Sequence, residues 1–242
     1  MKKLLVLIVI IPTLVLFSCS SSSDSSQSSS DVLLKKTIWD DGTIINFEYI
    51  GNKISRYSSS DGSYTTFTYT GDLITREEYY SSNNTINEYY EYYYSGNNLI
   101  QIKNFIGTTL NRKFDLVINN DNTITRTRTN YSGTSTSRTV FKEYFLNEEK
   151  IKEEQFNSSG SIVNTTTFLR DNKNCPTMNI TGFRYLNGWY SDDSPFHNII
   201  RISESSFTSN NQNYSYQYNS NNYPTIGTCT AGGYTESTQY FY

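Results

Sequence analysis

Residues 41–54 read DGTIINFEYIGNKI, and residues 61–74 read DGSYTTFTYTGDLI. Asp41-Gly42, Phe47, Tyr49, Gly51 and Ile54 recur as Asp61-Gly62, Phe67, Tyr69, Gly71 and Ile74, at a constant offset of 20. Asp-Gly between alternating runs is a strong hairpin signal, because both residues tolerate positive φ. Gly51-Asn52 and Gly71-Asp72 mark the next turns. Each unit is therefore read as two strands of about seven residues. The aromatic-x-aromatic pair continues as Tyr92/Tyr94, Tyr216/Tyr218 and Tyr240/Tyr242. A period of two places both rings of a pair on one sheet face.

Working outward, polar turn clusters separate further alternating runs: Ser81 to Asn84, Ser95 to Asn98, Asn119 to Asn122, Ser132 to Ser135, Asn157 to Gly160 and Ser209 to Asn213. Consecutive antiparallel strands follow. The chain has one Ala, Ala231, and nine Leu beyond residue 18, which argues against a helical bundle. From Val32 to Tyr242 there are 211 residues, enough for one all-β domain. About fourteen strands are too many for a flat sheet. The expected fold is an antiparallel β-meander in one long, strongly twisted sheet, half-barrel or sandwich-like. A β-solenoid is the alternative, suited to the 20-residue repeat. Residues 178–202 are the least repetitive and are read as a loop insertion with one short helical turn. Glu148 to Glu154 is the densest charge run and is read as a solvated turn plus an edge strand.

The N-terminus carries its own signal. Lys2 and Lys3 precede an apolar run from Leu4 to Phe17, so residues 1–18 read as an export signal. Leu16-Phe17-Ser18-Cys19 resembles the lipobox of bacterial lipoproteins, which implies acylation of Cys19. Residues 19–31 have no apolar residue beyond the Cys and read as a Ser-rich flexible tether. The hairpin units are similar to the Tyr-rich repeats of the RHS/YD type. The whole chain resembles small lipoproteins of the Bacteroidetes type, down to the ending Gln239 to Tyr242. That resemblance implies a lipid-anchored protein of the outer membrane, on either face, and transfers no catalytic residue.

Chemistry is sparse. His197 is the single His, which excludes zinc sites needing two or more. No nucleophile elbow, phosphate-cradling loop or dinucleotide fingerprint is present. No cofactor or metal is expected. Loss of Lys2 and Lys3 with the signal moves the formal charge from −3 to −5, and nothing basic is clustered, so nucleic acid is not an expected partner. Cys175 and Cys229 could pair in an oxidising envelope, closing 54 residues for about 4 kcal/mol. The stretch from Trp189 to His197 gathers Trp189, Tyr190, Asp192, Asp193 and His197. It is the candidate binding surface, because loops on a rigid scaffold concentrate binding residues. The expected function is a non-enzymatic, membrane-anchored scaffold that binds a glycan or an envelope protein. A purely structural spacer comes next, and a polymer hydrolase last.

Overall fold

The computed structural model describes residues 32–186 and 195–242. Cys19, Trp189, Tyr190, Asp192 and Asp193 lie outside the described residues. The strands are β1 (Lys36–Trp39), β2 (Ile44–Ile50), β3 (Lys53–Ser59), β4 (Tyr64–Thr70), β5 (Leu73–Tyr80), β6 (Ile86–Ser95), β7 (Asn98–Ile106) and β8 (Thr109–Ile118). They continue as β9 (Ile124–Ser132), β10 (Ser135–Leu146), β11 (Glu149–Phe156), β12 (Ile162–Asn174), β13 (His197–Glu204), β14 (Gln212–Tyr218), β15 (Pro224–Ala231) and β16 (Tyr234–Phe241). Two short 3-10 turns span Phe183–Leu186 and Thr208–Asn210.

Each strand pairs antiparallel with its neighbours in sequence, as the turn signals predict. The sheet does not stay open. β1 pairs with β16, with Thr37 opposite Tyr240 and Trp39 opposite Thr238, so the described strands form a closed barrel. This corrects the expected half-barrel or sandwich and the solenoid alternative. An open sheet would leave two rows of unpaired backbone groups, and closure satisfies both. The same closure corrects the reading of the charge run: β11 is a strand, but it lies between β10 and β12 and is not an edge.

The turns explain how the wall is stitched. Gly42 and Gly62 have φ of +87° and +89°, whereas the Asp before each does not enter positive φ. Asp41 and Asp61 instead accept the N–H of Thr43 and Ser63 through their side chains. These turns lie on what we call the upper rim, with the other odd-to-even connections. The lower rim carries Gly51-Asn52, Gly71-Asp72, Asn147-Glu148 and the connection from β12 to β13.

That last connection is the insertion, displaced from its expected bounds: it runs over residues 175–196, because His197 to Ile202 belongs to β13. Its described part is tied down across the lower rim. The Thr181 N–H donates to the Asn52 carbonyl at 2.9 Å, and Asn179 Nδ2 donates to the Val32 carbonyl at 3.0 Å. The expected helical turn is Phe183–Leu186. Leu186, 2% exposed, packs with Ile74, Tyr92, Leu99, Ile102, Phe114, Leu116 and Ile124. Burying such a side chain stabilises by about 1.5–3 kcal/mol. The described part of the insertion, up to Leu186, is thus a plug rather than a surface loop.

The two wall faces differ. Several outward positions at mid-height carry charges that pair along the ladder. Glu48 stands opposite Arg56, and Arg76 bonds Glu78 at 2.9 Å and Glu91 at 3.2 Å. Lys113 bonds Asp115, and Lys152 bonds Glu154, both at 2.9 Å. Arg56 and Arg76 also lie over the outward rings of Tyr64 and Tyr89. Inward positions hold the aromatic pairs Phe47/Tyr49, Phe67/Tyr69, Tyr92/Tyr94, Tyr216/Tyr218 and Tyr240/Tyr242, as period two requires. At the lower rim three of the second rings donate their hydroxyls: Tyr49 to the Leu34 carbonyl, Tyr94 to the Ile74 carbonyl and Tyr218 to the Asp171 carboxylate.

Candidate functional site

The lumen is divided by the chemistry of its walls. On the β9–β12 side it is filled by paired ions. Arg126 bonds Glu143 at 2.8 Å and Glu153 at 2.7 Å, and Lys150 stands 3.4 Å from Glu153. The alternation that sends Lys152 and Glu154 outward sends Glu153 inward; the charge run is only half solvated. Near the lower rim Arg170 and Glu149 approach to 3.6 Å.

On the opposite side, between β1–β5 and β13–β16, the lumen is a cavity of about 490 Å³. One wall carries Phe47, Tyr57 and Phe67, with successive ring centroids 6.0 and 5.8 Å apart. The facing wall carries Tyr214 and Tyr216, their rings parallel within 3° and 6.5 Å apart, with Tyr240 beside them. Gly227 sits between these last two rings. A Cβ there would meet Tyr216 Cε1 at 3.0 Å and Tyr240 Oη at 3.1 Å. An absent side chain is what lets two rings lie against the strand. Tyr216 donates its hydroxyl to the Ile199 carbonyl at 3.0 Å, and burial pushes its phenol well above the ordinary value.

The floor is the plug: Cys175, Pro176, Thr177 and Phe183 line the cavity, with Phe183 against Phe67 at 6.3 Å. Trp39, 47% exposed, and Glu236 lie toward the upper rim. Among the described residues, two carboxylates line the space. Glu236 stands opposite Cys229 near the mouth. Glu77 is 1% exposed and accepts hydrogen bonds from Tyr79 at 2.8 Å and Tyr92 at 2.7 Å.

Of the expected site residues, His197, Cys175 and Cys229 come together on this cavity. His197 lines the cavity and is held by a carboxylate. Its Nδ1 lies 2.9 Å from Glu149 Oε2, and its N–H donates to Glu149 Oε1 at 3.0 Å. This fixes the ring's orientation. Cys175 and Cys229 both line the cavity as thiols, and the expected disulfide is not formed. Cys175 leaves β12 at the lower rim, while Cys229 is five residues up β15 from Pro224, about 17 Å along the wall. Among the described residues, no group of His, Cys, Asp and Glu is arranged to hold a metal ion.

Sequence reasoning placed the binding surface on the insertion and missed Trp39, Glu77 and Gly227. Gly227 carried a legible signal, because an isolated Gly inside a strand marks a close approach. Glu77 carried none, since one Glu among many alternating positions gives no hint of burial.

No protein-family model matches this chain, and no curated protein matches it. The likeness to RHS-type repeats therefore rests on the hairpin motifs alone. Among solved structures, a porin-like protein from Bacteroides uniformis ATCC 8492 is similar at 11% identity and a TM-score of 0.38. The match covers 82% of this chain and 77% of that one. At that score the likeness carries no functional argument.

Proposed function

We propose that this chain is a non-enzymatic binding protein, held at the outer membrane by lipid on Cys19, whose barrel takes a small ring-bearing ligand such as the end of a glycan chain. The observation that carries the reading is the aromatic-walled cavity inside a closed wall. Its volume falls in the usual range for small-molecule sites, which are mostly apolar with a few placed polar groups. Flat Tyr and Phe faces stack on rings, and Thr37, Thr238 and Asn198 offer hydrogen bonds.

The outer wall supports a barrel that stands in water. A lipid-facing wall needs an apolar band, and each Arg or Lys at the bilayer midplane costs about 2–4 kcal/mol. Here Arg56, Arg76, Lys113 and Lys152 are at outward ladder positions on four different strands. Anchoring then falls to the N-terminal lipid, and one face of the membrane or the other is served equally by the tether.

Trp39 reports directly on the cavity. In a Trp189→Phe chain it is the remaining indole. Titration with envelope and plant oligosaccharides should give a saturable change in its emission. Gly227→Val, which pushes the Tyr216 and Tyr240 rings into the space, should abolish it. A flat response across the panel, with the fold intact, would overturn this reading in favour of a spacer.

A further inference from the structure

We infer that the cavity selects an organic cation, a compact ammonium-bearing ligand, over its neutral isostere. The inference rests on the cavity being a ligand site, as proposed above, and adds the charge of the ligand.

The chain puts its cations away from this cavity. From Ile202 to Tyr242 the sequence has no Lys or Arg, so β14, β15 and β16 bring none to their wall. On β3 and β5 the arginines Arg56 and Arg76 share the outward ladder face with Thr66 and Glu91. The inward cations lie on the other side of the lumen, on β8, β9, β11 and β12: Arg126, Lys150 and Arg170 face Glu143, Glu153 and Glu149, while Arg112 bonds Asn130 and Arg128 bonds Thr139. Among the described lining residues of the cavity there is thus no Lys or Arg, while Glu77 and Glu236 are both there. Residues 187–194 add no Lys or Arg in sequence. The one lining group that can take a positive charge is His197, and Glu149 is already 2.9 Å from it.

Around these carboxylates stand the faces of Phe47, Tyr57, Phe67, Tyr214, Tyr216 and Tyr240. Ring faces carry the negative lobe of the quadrupole and attract a cation, most strongly where water is excluded. A carboxylate at the mouth and another at depth, joined by aromatic walls, attract an ammonium and repel an anion along the whole path. A neutral ligand would gain the stacking and could donate a hydroxyl to an acid, but would gain no charge attraction.

The test uses the full chain in non-ionic detergent and two matched pairs of probes: choline with 3,3-dimethylbutan-1-ol, and protonated glucosamine with glucose. Calorimetry should show each cation binding roughly tenfold or more tighter than its neutral partner. Glu236→Gln, at the exposed mouth, should weaken the cations several-fold and the neutral partners much less. Glu77→Gln should do so more strongly, and Glu236→Gln keeps the test valid if that buried variant fails to fold. Equal or tighter binding of the neutral partners would overturn the inference and leave the cavity reading standing. Binding of none of the four probes would also overturn it. The Trp39 titration with oligosaccharides then shows independently whether the cavity reading survives.

Discussion

At the scale of single residues, the molecule depends on charges it has hidden. Arg126 lies between Glu143 and Glu153, all three side chains at most 17% exposed. Removing one member of such a set leaves charge buried without its match, at a cost of 3–5 kcal/mol. Lys150 remains 3.7 Å from Glu143 and 3.4 Å from Glu153, which places Arg126→Met at the lower end, about 3 kcal/mol by urea denaturation. Burial alone would raise the Glu153 carboxyl, but Lys150 and Arg126 outweigh it and hold it below the ordinary 4.5. A carboxyl depressed by folding adds stability above its unfolded value and loses it as the pH falls through the folded one. The stability gap between the native chain and Glu153→Gln should therefore be widest at neutral pH. It should shrink below pH 4.5, and a gap that stays constant on acidification would contradict this role. None of this was visible in the run from Glu148 to Glu154. Its alternation says which charges share a face, but only closure makes one of those faces an interior.

At the scale of elements, the plug is the part that departs from repetition. Its anchor is apolar. Leu186→Ala should cost about 2–5 kcal/mol, as a cavity opened in a packed core does. Arg184→Ala removes a 2.9 Å pair with Glu148 in which the partners are 49% and 62% exposed, and should change stability by less than about 1 kcal/mol. Comparable losses in the two variants would contradict a plug held by its apolar anchor. Gly182 sets the approach: at φ +96°, a Cβ there would stand 2.9 Å from the Asp72 carbonyl. Hairpins were the most legible elements, because Asp-Gly, Gly-Asn and Asn-rich clusters act locally. The strand pairs at 44–59 and 64–80 stand where the 20-residue repeat puts them. The plug's destination was not legible, since nothing local to Phe183–Leu186 states which distant Ile and Leu it will meet. Ile86 shows a smaller limit. Simple alternation along β6 would put it on one face with Tyr90 and Tyr92, but a register shift at Tyr79/Tyr80 turns it outward.

At the scale of the whole molecule, closure decides everything else. The seam of β1 with β16 spans four paired residues, extended by the Lys35 N–H to the Phe241 carbonyl at 2.7 Å. A meander was readable from alternation and turns. Closure was not, because it depends on summed twist and on two termini meeting. Once closed, the wall has a charged outside and an inside split between paired ions and an aromatic cavity. In a closed barrel Cys229 faces an enclosed lumen while its neighbour Thr230 faces water. Thiol labelling tests it on residues 31–242, one compact unit, carrying Cys175→Ser. Cys229 should react with a small methanethiosulfonate and resist a polymer-linked maleimide until urea unfolds the chain. Thr230→Cys, with Cys229→Ser, should react with both in the native state. Equal reaction of the two positions with the polymer reagent would contradict a closed barrel with its site inside.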